Sequence, residues 1–243
     1  MIKNSIINNI STTEYIPGKI DQIVIGVHGF AGDKESSVLQ AIGEECMKNN
    51  TLLITFDLPC HGNNDNAKIL SLKDCLKAVE IIESYAQNYK APISYFSTSF
   101  GAYLTLIHIQ KSDNQYKSII LRAPAIYMDE VLVNVILPEH GYSGKNLETK
   151  AINLGYAKPL YIDKKFLQEL KENRLENIYS KKLFLNIIQG KKDDVVNYKK
   201  NEKFFKEKLK DNYKIYYFEN ANHRYKNPGE LEKIVKIFKE IIF

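Results

Sequence analysis

The chain of 243 residues is poor in the features that mark several protein classes. No apolar run approaches the roughly 20 residues that a membrane-spanning helix needs. The longest, Ile23–Val27 and Leu183–Ile188, are far shorter, and the second is broken by Asn186. The first ten residues scatter isoleucines among asparagines without a continuous apolar core, so no secretory signal is expected. The three cysteines, Cys46, Cys60 and Cys75, lie far apart with no C-x-x-C pair. That spacing argues against a disulfide scaffold or a zinc site and favours free thiols in a reducing cytosol, so a cytoplasmic protein is expected. Seven prolines and twelve glycines are too few for a collagen-like or linker-dominated chain. Arginine is scarce: only Arg122, Arg174 and Arg224 stand among 34 basic residues. A net charge of +5 carried mainly by dispersed lysines reads as a solvated surface rather than a nucleic-acid or membrane patch. A chain this long buries roughly three quarters of its unfolded surface and needs no staple. One domain spanning residues 1–243 is the expectation.

What the sequence does contain is an alternation of short β-branched or aromatic runs with longer amphipathic ones, the pattern of an α/β protein with a mostly parallel sheet flanked by helices. Strands are expected at Gln22–His28, Leu52–Asp57, Ile93–Ser97, Ser118–Arg122, Leu183–Gln189 and Lys214–Phe218. Most are near-continuous apolar runs, as strands buried on both faces should be. Helical periodicity covers Lys34–Asn49, Leu72–Tyr89 behind Ser71 as N-cap, Phe100–Lys111, Tyr198–Lys210 and Leu231–Phe243. Asn4–Pro17 is read as one or two short edge strands. The interval at about 125–178, with a helical run at Lys164–Asn173, is too long for an ordinary connection and is expected to form a small cap insertion.

Three strand ends carry unusual residues. Ser97-Thr-Ser99-Phe-Gly101 takes a strand directly into a helix through a turn with small residues on both sides of Ser99. So sharp a turn strains the central residue and pushes its side chain out of the sheet, the requirement of a nucleophile elbow. The competing reading is an ordinary strand–helix junction with a serine N-cap. His28-Gly29-Phe30-Ala31-Gly32 lets the backbone turn back, offering the Phe30 N–H to pair with that of Phe100 as an oxyanion hole. His28 itself is read as a loop-shaping residue. Late in the chain, Gly190-Lys-Lys-Asp193-Asp194 and Asn222-His223 end successive strands. A serine hydroxyl needs a histidine to take its proton, and the histidine needs a carboxylate to fix its tautomer. Asp193 is favoured for that role, with Asp194, read as a turn or cap residue, open as the alternative.

These pieces resemble the α/β-hydrolase superfamily, and within it the short-cap carboxylesterases that include cinnamoyl and feruloyl esterases and serine-aminopeptidase-like hydrolases. The matching segments are His28-Gly29-Phe30 with Gly32, Asp57-Leu-Pro-Cys60-His61-Gly62, Ser97-Thr-Ser99-Phe-Gly101, Ala123-Pro124-Ala125, Gly190-x-x-Asp193 and Asn222-His223. Ser97, Thr98 and Cys60 depart from the family pattern, which has glycine at positions 97 and 60. The resemblance implies a serine hydrolase with Ser99, Asp193 and His223 in that chain order, no cofactor and no metal.

The expected substrate is a small-molecule carboxylic ester of small to medium, or aromatic, acyl group. Tyr127, Met128, Leu132, Tyr142, Tyr156 and Tyr161 of the insertion are candidates to contact it. An amidase, an aminopeptidase-like hydrolase, an acyltransferase, and a binding protein with a decayed site remain open. His61 and His108 are read as structural, and His140 as a loop histidine. Cys60 is not read as a nucleophile, since no elbow surrounds it.

Overall fold

The computed structural model describes residues 1–65, 67–148, 150–156, 158–180 and 183–243. The chain opens with an antiparallel hairpin, β1 (Ile2–Ile7) and β2 (Ile10–Tyr15). Its turn residues, Asn8 and Asn9, have φ of 45° and 66°, the left-handed backbone that two-residue hairpins need and asparagine tolerates. There follow β3 (Gln22–Val27), α1 (Ser37–Lys48), β4 (Thr51–Phe56), α2 (Leu72–Gln87), β5 (Ile93–Thr98), α3 (Phe100–Lys111) and β6 (Ile119–Arg122). The expected insertion holds only short elements: α4 (Met128–Val131), a π-type turn (Leu132–Ile136), α5 (Leu137–Glu139), a 3-10 turn (Gly144–Glu148), β7 (Ile152–Asn153), β8 (Tyr161–Ile162), α6 (Lys164–Glu172) and α7 (Leu175–Ile178). Thr149 and Ala157 of that interval lie outside the described residues. The chain closes with β9 (Leu185–Gly190), α8 (Tyr198–Leu209), β10 (Tyr213–Phe218) and α9 (Glu230–Ile242).

Among the described residues the large sheet has eight strands in the order β1-β2-β4-β3-β5-β6-β9-β10, parallel from β4 to β10. β3 and β4 are buried along their whole length, which is why they read as unbroken apolar runs. β2 is no edge strand, contrary to expectation: it lies between β1 and β4. Its polar sequence hides this, because Thr12 and Glu14 are buried against hydrogen-bonding partners, Ser5 for the first and Ser5, Tyr85 and Tyr89 for the second.

The chain steps from β3 to β4 in one direction, then from β4 to β5 to β6 in the other. With right-handed crossovers, α1 lies on one face and α2 and α3 on the opposite one. α9 returns to pack beside α1. The reversal falls between β3 and β5, and such a switch point leaves a crevice at the C-terminal edge where parallel sheets bind ligands. α3 is buried almost all round, from Phe100 to Ile107. α2 is capped as expected, with the Ser71 hydroxyl accepting from the Asp74 amide. The π-type turn precedes Pro138, which lacks an amide to donate back into the helix. No helix among the described residues is long and apolar enough to cross a membrane.

Candidate functional site

The crevice at the switch point is entered by the β5–α3 turn. Ser99 sits there with φ 52° and ψ −114°, a backbone conformation a side-chain-bearing residue holds at a cost of about 1–3 kcal/mol. The surroundings hold it in place. Its amide donates to the Arg122 carbonyl at 2.9 Å, and its carbonyl accepts from Ala102, Tyr103 and Ala125 at 3.0, 3.1 and 3.2 Å. Gly101 is required, since a Cβ there would lie 2.3 Å from the His28 carbonyl oxygen. Ser97 is accommodated because its hydroxyl meets Thr105 Oγ1 at 2.7 Å. Thr105 donates its proton to the Gly101 carbonyl at 2.9 Å, so Ser97 is the donor to Thr105.

Although Ser99 occupies the N-cap position of α3, its side chain makes no capping bond. Its Oγ instead lies 2.9 Å from His223 Nε2. His223 Nδ1 faces Asp193 at 3.0 and 3.1 Å from the two carboxylate oxygens. The carboxylate accepts at Nδ1, so Nδ1 carries the ring proton and Nε2 is free to accept from Ser99. The Asp193 side chain is fully buried, and its Oδ1 also accepts the Val195 and Val196 amides at 3.0 and 2.8 Å. Asp194 has a different place: its Oδ1 accepts the His223 backbone amide at 3.2 Å. It does not cap α8, a role taken by Asn197. Gly190 lets the two loops meet, because a Cβ there would lie 2.4 Å from the Ala221 carbonyl oxygen.

The loop after β3 lies against the elbow: a Cβ on Gly29 would be 3.2 Å from Ser99 Cβ. His28 ties this loop to the one after β4. Its Nε2 accepts the Leu58 amide at 3.1 Å, so Nδ1 holds the proton and donates to the Gly29 carbonyl at 2.8 Å. Burial lowers its pKa and keeps it neutral. His61, buried beside it, donates from Nδ1 to the Pro59 carbonyl, and burial pushes its pKa down to about 3. Asp57 is fully buried and holds the same two loops by accepting the Lys34 ammonium at 3.0 Å and the Lys34 and Asn63 amides at 2.9 and 2.8 Å. The Phe100 amide, first in α3, has no acceptor within its own helix and lies at the positive helix end directly after Ser99. The Phe30 ring packs on Phe100, with ring centroids 5.8 Å apart.

Cys60 has φ 64°, which explains why the related pattern carries glycine there. Its thiol donates to the Ala67 carbonyl at 3.3 Å, and burial pushes its pKa up to about 11, far from a reactive thiolate.

The six residues named from the insertion separate. Tyr156 packs on Phe30 and on His140, with ring centroids 6.2 and 4.6 Å apart. Met128 and Leu132 are buried in the core, with no surface to offer a ligand. Tyr161 is exposed on β8, where its carbonyl accepts the Leu70 amide. Tyr127 lies under the Lys200 ammonium, and Tyr142 is a half-buried turn residue whose amide donates to Leu137. Aromatic and apolar composition alone could not sort these six, because it carries no direction. Sequence reasoning missed Phe166, whose ring stacks on Phe30, and Arg122, the one charge in the run Ser118–Arg122. Among the described residues no group of three or more His, Cys, Asp or Glu could hold a metal ion.

Residues 18–175 match the family described as serine aminopeptidase, S33. A protein from Agrobacterium vitis S4 is 17% identical with a TM-score of 0.82, covering 100% of each chain. Est1E from Butyrivibrio proteoclasticus, solved with ferulic acid bound, is 18% identical with a TM-score of 0.79, covering 98% of this chain and 96% of its own. A monoacylglycerol lipase from Paleococcus ferrophilus is 18% identical with a TM-score of 0.69, covering 95% of this chain and 97% of its own. No curated protein sequence gives a significant match. At these identities the structural likeness is one of fold.

Proposed function

The chain belongs to the α/β-hydrolase superfamily, in the family described as serine aminopeptidase, S33, and from that premise we propose that it is a serine hydrolase cleaving small carboxylic esters through an acyl-enzyme. The observation that carries this reading is the unbroken line from Ser99 Oγ to His223 Nε2 at 2.9 Å and from His223 Nδ1 to Asp193 at 3.0 Å. In this reading Ser99 Oγ attacks the acyl carbon as His223 Nε2 takes its proton. Asp193 holds the imidazole tautomer and stabilises the imidazolium. The oxyanion is received by the Phe30 and Phe100 amides, each worth about 3–4 kcal/mol toward a tetrahedral intermediate. His223 then protonates the departing alkoxide, and water, activated by the same imidazole, releases the acid.

Residues at about 125–178 act in this reading as a small cap within a single domain spanning 1–243. Its support is the pair of ring contacts from Tyr156 and Phe166 to Phe30, which bring the insertion over the oxyanion loop. The ferulic acid held by Est1E makes aromatic acyl esters the first class to test. The description of the matching family favours a second reading, cleavage of aminoacyl amides. Turnover of p-nitrophenyl and hydroxycinnamoyl esters against amino-acid anilides separates the two. A fluorophosphonate probe should label the protein and fail on Ser99→Ala. Equal labelling of both would sink the serine-hydrolase reading.

A further inference from the structure

Arg122 ends β6 inside the core, only 8% exposed, one residue before the sharp turn at Ala123. Its two halves touch two different parts of the crevice. The main-chain carbonyl accepts the Ser99 amide at 2.9 Å, so the strand end carries the elbow. The side chain reaches the histidine loop: Nη2 donates to the Arg224 carbonyl at 3.0 Å, and the guanidinium lies 4.6 Å from the centre of the Tyr225 ring. Tyr225 is itself held to the sheet, since its hydroxyl donates to the Ile188 carbonyl at 3.2 Å and the Ala123 amide donates to that same carbonyl. Its φ of 52° is the left-handed backbone that a bulky residue rarely adopts, so the turn just after His223 persists only because contacts hold it.

Stability alone does not account for a cation here. Among the described residues Arg122 makes no ion pair, and its Nε is buried without a partner. Asp193 and Glu230 act on it only at longer range. A buried charge without a paired carboxylate is costly, and an apolar residue of similar volume is often no worse for folding. What an apolar residue could not do is grip a carbonyl and a ring face at once.

Resting on the serine-hydrolase reading, we propose that Arg122 is a positioning residue that holds the Ser99 elbow and the His223 loop in register, its carbonyl fixing the first and its guanidinium clamping Arg224 and Tyr225 of the second. A shift of about 1 Å between reacting groups costs on the order of 100-fold in rate. The clamp therefore acts on the chemical step and leaves ester binding alone.

The test compares Arg122→Met with Arg122→Lys in steady-state hydrolysis of p-nitrophenyl acetate. Arg122→Met should lose kcat by about 30–100-fold with KM within about 3-fold, because it removes an interaction that matters only as the reacting atoms align. Arg122→Lys, which keeps a cation over Tyr225, should recover at least half of that loss on a logarithmic scale. Wild-type kcat in Arg122→Met, a rise in KM in its place, or a lysine variant no better than methionine would overturn the proposal. If Arg122→Met does not fold, Tyr225→Leu carries the test: kcat must fall without KM, and an unchanged kcat overturns it. Fluorophosphonate labelling of the wild type separates the two levels. An unlabelled wild type sinks the hydrolase reading, whereas a labelled wild type with an unimpaired Arg122→Met sinks only the role of Arg122.

Discussion

Glu83 and His108, facing each other between α2 and α3, form the same kind of carboxylate–imidazole pair as Asp193 and His223, at 2.9 Å against 3.0 Å. The two differ in what lies on either side. Glu83 is saturated with side-chain donors, accepting from the Tyr95 and Tyr116 hydroxyls and the Asn114 amide as well as from His108. Among the described residues its line of hydrogen bonds ends at the His108 ring. Asp193 draws its other bonds mainly from loop amides, and its line continues through His223 to a serine held in strained backbone. A groove of about 620 Å³ flanks Glu83 and His108, yet neither that concavity nor its acid–histidine pair adjoins a nucleophile. The proposed function therefore rests on the strand edge and the strained serine.

The largest effect expected from this contrast is on rate. Asp193→Asn should lower kcat for p-nitrophenyl acetate by about 10⁴-fold, as loss of the orienting acid leaves the wrong imidazole tautomer. Glu83→Gln should change it by less than about 3-fold, because that pair has no reacting group to serve. Steady-state kinetics of both variants decide the matter, and losses of similar size would erase the distinction. Asp194→Ala belongs between them, at about 10-fold, since it frees the His223 amide but leaves the ring's partner in place.

Stability should show the reverse order. Glu83→Gln points an amide N–H₂ at groups that themselves donate, and a loss of about 3 kcal/mol in urea unfolding is expected. Asp193→Asn, which keeps an acceptor for the Val195 and Val196 amides, should lose about 1 kcal/mol. A Glu83→Gln variant as stable as wild type would show that the network is ornamental to the fold.

The same contrast marks how far the sequence could be read. The six parallel strands emerge within one or two residues of their observed bounds, the inner ones because a strand buried on both faces is written as a mainly apolar run, and the half-buried edge strand β10 because its run is rich in aromatic residues. That Ser99, Asp193 and His223 meet was legible because a sharp elbow needs small residues two positions to either side and the partners come at successive strand ends. β2 was misjudged because Thr12 and Glu14 are buried by hydrogen bonding rather than by apolar character, and single-chain polarity does not distinguish the two. The Glu83 network was invisible for a related reason: the partners of this α2 residue come from α3, β5 and the segment before β6, and no spacing along the chain announces that they meet. The insertion carried the least information, since six aromatic and apolar residues there were indistinguishable until the fold gave each a direction.

A smaller effect concerns acid. Burial holds His61 neutral with its pKa down to about 3 from an ordinary 6.5, and His28 is lowered in the same sense. The unfolded chain takes up those protons below about pH 6.5 and the folded one does not, so stability falls as pH drops through that window. The slope is at most about 1.4 kcal/mol per pH unit for each group. Burial raises the Glu83 pKa, but the His108 and Tyr95 hydrogen bonds outweigh it and the net direction is down, so its contribution is present above its ordinary 4.5 and disappears only below it. Melting temperature should therefore begin to drop near pH 6.5, before the carboxylates titrate, and His61→Gln should flatten that first phase. A flat melting temperature between pH 6.5 and 5 would remove the two loop histidines from the acid response.

The smallest change expected is the one that restores the family's glycine at the elbow. In Ser97→Gly the donor to Thr105 is lost, while Thr105 keeps its own bond to the Gly101 carbonyl. One lost hydrogen bond costs about 1 kcal/mol, and a glycine inside a strand costs a further fraction for its freedom in the unfolded chain. The turn geometry at Ser99 is fixed independently, by the Arg122 carbonyl and by the close approach of Gly101 to His28. Unfolding in urea should show a loss of about 1–2 kcal/mol, and p-nitrophenyl acetate hydrolysis should stay within about 3-fold. A loss of more than about 10-fold in kcat at unchanged KM would mean that the Ser97–Thr105 hydroxyl chain positions the elbow and that strain alone does not define it.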